Sequence, residues 1–191
     1  VAPSTVEVDE ELRVRVRALD AEDNLSPIQP TDLRLMTGLE EGDFVPLLDH
    51  TSGQSFQTSL QVPGERQFVV TCEVDDLVGI SNPCLCSENT LEHRLFWGDM
   101  HAATGLSDGL ATPDECHAFA RDEAALDFCA LTDYAACLTG EAWAELQESV
   151  AAFHEDGRFV PFLGYDYSGQ RLADESSGAC IYYPDATGPL L

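Results

Sequence analysis

The 191-residue chain sets 35 acidic residues against nine basic ones, all nine of them arginine, for a formal charge of −26. That balance excludes nucleic acid as a partner, because binding phosphate needs clustered positive charge. No apolar run approaches the ~20 residues that span a bilayer, and a hydrophobic content of 44% with nine phenylalanines argues for packed cores over acidic disorder. The expectation is a soluble protein with a folded acidic surface, of halophilic or marine type, where ions screen its self-repulsion. The chain opens at Val1 without a charged-then-apolar leader, which reads as a processed product or a fragment. A periplasmic or extracellular location is expected.

In chain order, Val6–Val8 and Leu12–Leu19 alternate apolar and polar side chains, the pattern of half-buried strands, with Arg13, Arg15 and Arg17 on the solvent face. Turn residues fill Asp20–Pro30, and Leu33-Arg34-Leu35 alternates again. Phe56–Val62 and Gln67–Val74 predict two further strands around the turn Pro63-Gly64. Short alternating strands with frequent turns indicate an antiparallel, immunoglobulin-like β-sandwich. Ser81–Glu92, poor in aliphatics and holding Asn82-Pro83, reads as the connector to a second domain.

From there the pattern changes. A strand over Arg94–Met100 leads to a small-residue loop and then to Thr112-Pro113-Asp114-Glu115, a capping box with proline at the first helical position. Cys116, Phe119 and Ala120 form the apolar face of that helix. Leu126–Leu131 is the next strand, ending in Thr132-Asp133-Tyr134. The spacing of Trp143, Leu146, Val150 and Phe153 predicts a helix from about Gly140, stopped by Gly157. Phe159–Tyr165 runs as a strand into Asp166, and a Gly/Ser/Asp loop leads to Cys180-Ile181-Tyr182-Tyr183. Strands alternating with helices predict a parallel sheet. A closed barrel usually takes about 250 residues, so this part reads as a partial one.

Seven cysteines leave at least one thiol free or paired with another chain. Cys84-Leu-Cys86 is neither a zinc knuckle nor a redox Cys-x-x-Cys pair. Cys116 and Cys129 read as small core residues. In an oxidising compartment Cys72, Cys84 and Cys86 are the disulfide candidates, with Cys72 bridging one of the other two. His93, His117 and His154 read as solvated, and His50 as a loop residue of the β domain.

Three parallel strands therefore end in Asp99 with His101, in Asp133 and in Asp166. Strand C-termini line one edge of such a sheet, where ligands bind. Each carboxylate alone also fits the cap of a following turn or helix. Together with the imidazole they suit Zn²⁺, Mn²⁺ or Fe²⁺. Asp99, His101, Asp133 and Asp166 are the expected metal ligands, with Asp108, Tyr134 and Cys180 behind them as residues that orient the ligands.

The stretches Trp97-Gly98-Asp99-Met100-His101, Ser107-Asp108-Gly109, Phe119-Ala120-Arg121-Asp122, Leu126-Asp127-Phe128, Leu131-Thr132-Asp133 and Gly157-Arg158-Phe159-Val160 leading to Gly164-Tyr165-Asp166-Tyr167 resemble, in order and spacing, the PHP (polymerase and histidinol phosphatase) superfamily. More closely, they resemble its uncharacterised branch with a β domain ahead of the catalytic part, and Asn82-Pro83 fits that branch as well. The resemblance implies metal-dependent phosphoesterase chemistry, with His and carboxylate ligands at a two- or three-metal centre. Against that pattern Ala103 stands in place of a second His and Tyr134 in place of a third. Asp166 replaces a Glu, and Ala179 and Cys180 are found where a His is expected near Gly178.

The reading is a two-domain chain: an immunoglobulin-like sandwich over residues 1–88, then the N-terminal half of a PHP-like α/β barrel over 89–191. Its expected function is that of a degenerate relative of metal-dependent phosphoesterases, a non-catalytic structural or assembly subunit. The alternative is a phosphoric ester hydrolase fragment whose remaining ligands lie in a missing C-terminal half. Open sheet edges on a half-barrel call for self-association or a covering partner chain.

Overall fold

Alternating side chains drive the first half of the chain into strands, and the second half adds helices between them. The structure, a computed structural model, describes residues 1–22, 24–27, 34–36, 47–52, 55–62, 64–74, 76–168 and 178–191. These form two compact units, Val1–Leu95 and Phe96–Leu191, and the chain is mostly β. Among the described residues no helix is long and apolar enough to cross a membrane.

The first unit holds β1 (Thr5–Glu7), β2 (Glu11–Leu19), β3 (Leu25–Ser26), β4 (Arg34–Met36), β5 (Leu47–Ser52), β6 (Ser55–Gln61), β7 (Arg66–Phe68), β8 (Thr71–Val74), β9 (Leu77–Ile80) and β10 (Cys84–Ser87). They lie in three sheets of order β1-β10-β7, β3-β2-β6-β5 and β4-β8-β9. Along β2 the period of two sends Leu12 and Val14 into the core and leaves Arg13 exposed. Val6, Phe68, Val70, Cys84 and Cys86 pack with them.

Two features depart from the sequence expectation. Gln67–Val74 reads as one strand, yet the chain changes sheets at Val69-Val70. There Val70 N–H donates to Ser81 Oγ at 2.9 Å instead of to a ladder, and Val70 O accepts from Ser81 N. β7 then pairs with β10, and β8 lies between β4 and β9. The expected connector itself contains β10, which runs parallel to β1 and antiparallel to β7. Its inward residues are cysteines, which bury like small hydrophobes and leave no aliphatic signal. Cys72, Cys84 and Cys86 all carry free thiols. Burial raises the pKa of each. His50 lies on β5, within a strand and not a loop.

The second unit runs β11 (Gly98–Ala102), α1 (Pro113–Ala118), a π-helical turn over Phe119–Glu123, β12 (Phe128–Leu131), α2 (Gly140–Phe153), β13 (Val160–Ser168) and β14 (Gly178–Tyr183). Its sheet has the order β11-β12-β13-β14. The first three strands are parallel, and β14 returns antiparallel to β13. The span 169–177 is shorter than the dozen or so residues that a parallel crossover takes, so the fourth strand pairs as a hairpin partner. Thr112 caps α1 through a reciprocal capping box with Glu115. Helix α2 buries Trp143, Leu146 and Val150 against Leu131, Phe159, Leu163 and Tyr165.

His117 is not solvated but fully buried. Its Nδ1 lies 2.8 Å from Ser149 Oγ, and its ring packs beside Phe153 and Phe159. Helix α1 packs against α2 through the face that carries this ring. Phe119, expected on the buried face, is instead exposed. It opens the π-helical turn, whose wider winding shifts the following side chains out of α-helical phase.

Candidate metal centre

The C-terminal ends of β11, β12 and β13, with β14 alongside, bring polar side chains to one edge of the second sheet. On β11, the pairing with β12 is irregular between Asp99 and Ala102, and Asp99 Oδ1 accepts from His101 N–H at 2.8 Å. This local bond holds the backbone where the imidazole leaves the strand. His101 Nδ1 then lies 2.7 Å from Thr132 Oγ1, just past β12, and 3.3 Å from Cys180 Sγ on β14. Thr132 is buried and fixes the ring from below.

Asp166 and Cys180 are register partners across the antiparallel β13–β14 ladder, so their side chains share a face. One ligand atom each from His101, Asp166 and Cys180 lies within 4.8 Å of the others. Among the described residues, Asp166 Oδ1 is a buried oxygen with no hydrogen-bond partner. A buried polar oxygen left in that state is costly unless a cation or donor meets it. The orphaned oxygen and the nitrogen–oxygen–sulfur donor set both fit a divalent transition ion.

Asp99 and Asp133 lie outside this group of three. Asp133 is fully buried and accepts from Thr104 N at 2.8 Å, Thr104 Oγ1 at 2.9 Å and Ser107 Oγ. Its carboxylate therefore organises the loop after β11. Gly109 closes the same loop by donating to Thr104 O, and a Cβ there would stand 2.5 Å from Ala103 O. Tyr134 bridges Asp166 in parallel register, so its ring rises beside that carboxylate. The Asp108 carboxylate and its hydrogen bond with the Tyr134 hydroxyl raise the pKa of that phenol, and Asp166 adds to the shift. Tyr182 donates to Met100 O at 2.6 Å. Burial, then its bond with Cys180 and the charges of Cys180, Asp166 and Asp99, push its phenol up to about 12.

Cys180 is the residue whose place the sequence understated. The signal that finds it is the hairpin register: once Gly164 faces Tyr182, Asp166 must face Cys180. Gly164 also makes the packing possible, since a Cβ on it would stand 2.8 Å from Ile181 O and 3.1 Å from the Tyr182 ring.

The chain is similar to uncharacterised proteins of Chlamydia. It is 24% identical to one of Chlamydia pneumoniae over 180 residues, 25% identical to one of Chlamydia muridarum over 178, and 26% identical to one of Chlamydia trachomatis over 178. These alignments cover 87–88% of this chain, which spans 28% of the length of each relative. No family model matches the chain. Among solved structures, domains 6–7 of the surface layer protein SbsC align with a TM-score of 0.32 at 14% identity, over 63% of this chain and 56% of that one. An endo-fucoidan hydrolase of glycoside hydrolase family 107 aligns with a TM-score of 0.23 at 15% identity, over 45% and 13%. At these scores neither likeness bears on fold or function.

Proposed function

We propose that the second unit is a PHP-like α/β domain following an immunoglobulin-like sandwich, and that its sheet edge is a metal-dependent phosphoesterase centre reduced to one divalent ion. The observation that carries this reading is the convergence of His101, Asp166 and Cys180 ligand atoms within 4.8 Å, from three different strands. Three protein ligands are the number that catalytic zinc sites use. Zn²⁺, Mn²⁺ or Fe²⁺ bound there supplies Lewis acidity toward a phosphoryl oxygen and a lowered pKa for water.

The chain's own groups supply the rest. Thr132 holds the His101 ring, while Asp133 clamps the loop that carries Asp108. Asp108 in turn accepts the Tyr134 hydroxyl's hydrogen bond and, with its charge, raises the pKa of that phenol beside Asp166. The lysine-free acidic composition supports a high-salt setting.

A second reading, a non-catalytic assembly subunit, is favoured by the exposed apolar side chains of the second unit, including Phe96, Trp97, Leu110 and Phe119. One experiment separates the two. The purified chain is loaded with each ion in turn, assayed against bis(p-nitrophenyl) phosphate, and sized by light scattering. Metal-dependent hydrolysis lost in Asp166→Asn supports the phosphoesterase. A stable oligomer that binds the ion without hydrolysis supports the assembly role. A monomer that neither binds nor hydrolyses refutes both.

A further inference from the structure

The donor set at the sheet edge is chemically mixed. His101 offers an imidazole nitrogen, Asp166 a hard carboxylate oxygen and Cys180 a soft sulfur. Ions respond differently to that mixture. Zinc takes thiolate, imidazole and carboxylate together, whereas Mn²⁺ and Mg²⁺ prefer oxygen and gain little from sulfur. We infer that Cys180 is the residue that sets the ion preference of this centre, turning it toward Zn²⁺ and against Mn²⁺ and Mg²⁺. The inference rests on the metal-centre reading above and goes beyond it by naming the side chain that chooses the ion.

Three features of the structure place Cys180 in that role rather than in simple packing. Its sulfur lies 3.3 Å from His101 Nδ1, the nitrogen that also meets Thr132 Oγ1, so the thiol stands directly beside the imidazole. Its strand position is held by the Asp166↔Cys180 register, with ladder pairs from Leu163↔Tyr183 to Ser168↔Gly178 on either side, so the backbone keeps the two side chains on one face. Asp166 Oδ1, the buried oxygen lacking a partner, belongs to the residue across the ladder from it. A purely packing cysteine has no need of either polar neighbour. Cys129 and Cys116, by contrast, lie in or against the hydrophobic core of the unit.

The test uses the full chain and two readouts other than activity. Competition with a chelator of known affinity gives dissociation constants for Zn²⁺ and Mn²⁺, and Co²⁺ substitution reports sulfur ligation through its thiolate charge-transfer band. The wild-type chain is expected to bind Zn²⁺ at least ~10³-fold tighter than Mn²⁺ and to show the band. Cys180→Asp, which replaces sulfur by oxygen, should lower Zn²⁺ affinity on the order of 10²-fold, leave Mn²⁺ affinity within about tenfold and abolish the band. Cys137→Ser removes an exposed thiol and should retain both band and preference. Cys180→Ser, with circular dichroism as a check on folding, gives a second route should the aspartate disturb β14. Equal affinities for the two ions in the wild-type chain, or unchanged zinc binding in both Cys180 variants, overturn the inference and leave the centre standing. Failure of the wild-type chain to bind either ion removes the centre and the inference with it.

Discussion

At the scale of single residues, two buried polar groups make opposite demands. The Asp133 carboxylate accepts three bonds from the loop after β11, two from Thr104 and one from Ser107. Asp133→Asn should therefore destabilise the chain by about 2–4 kcal/mol in urea denaturation, because buried donors lose a charged acceptor. Its effect on zinc affinity should be small. Lost zinc binding with unchanged stability would instead make Asp133 a ligand. His117 is buried and neutral, its pKa lowered to about 4 by desolvation, against which Asp114 acts weakly. A folded-state value below the ordinary one of about 6.5 means the unfolded chain binds the proton more readily. Stability is complete above pH 6.5 and is lost as pH falls toward 4, by up to about 3 kcal/mol. Wild type and His117→Gln, compared by urea denaturation at pH 7 and pH 5, should show the smaller loss in the variant; equal losses would place the titrating group elsewhere.

At the scale of elements, the sequence was clearest where one periodicity runs uninterrupted. The alternation of Leu12, Val14 and Val16 on β2, the spacing of Trp143, Leu146 and Val150 on α2 and the Thr112–Glu115 box all signal their elements without tertiary help. It was least clear where geometry depends on a partner. Val69-Val70 continue an apolar run, yet the chain there changes sheets. Cys84 and Cys86 carry a strand's inward face in residues that also invite a disulfide reading. The candidate site divides in the same way. His101 and Asp166 stand at strand ends that pattern alone reveals, while Cys180 enters only through the β13–β14 register. Gly164 marks that register physically, since a methyl group there meets both the Ile181 carbonyl and the Tyr182 ring. Gly164→Ala should lower thermal stability by about 1–3 kcal/mol, the range for overpacking, and weaken zinc binding by forcing β14 outward. A variant with wild-type melting and affinity would show that the ladder is looser than described.

At the scale of the whole molecule, charge outweighs any single contact. A chain of 191 residues at −26 with no lysine opposes its own compaction at low ionic strength. The ion pairs that Arg94 makes with Glu7 and Glu10 lie at the surface and do little to offset this. Screening shortens the reach of the repulsion from about 30 Å at 0.01 M salt to about 3 Å at 1 M. The urea midpoint should therefore rise steadily from dilute buffer to molar sodium chloride. A flat or falling midpoint would mean that the acidic surface is not under strain. Bound zinc should act in the same direction, since an ion that meets only the folded sheet edge stabilises it by mass action.

The central claim is that His101, Asp166 and Cys180 ligate one ion together. X-ray absorption at the zinc edge, on the chain loaded with one equivalent of zinc, tests it most directly. The account predicts a single sulfur scatterer at about 2.3 Å with nitrogen and oxygen scatterers at about 2.0–2.2 Å, and loss of the sulfur shell in Cys180→Ser. A shell of nitrogen and oxygen alone in the wild-type chain, or a sulfur shell that survives the substitution, would contradict it.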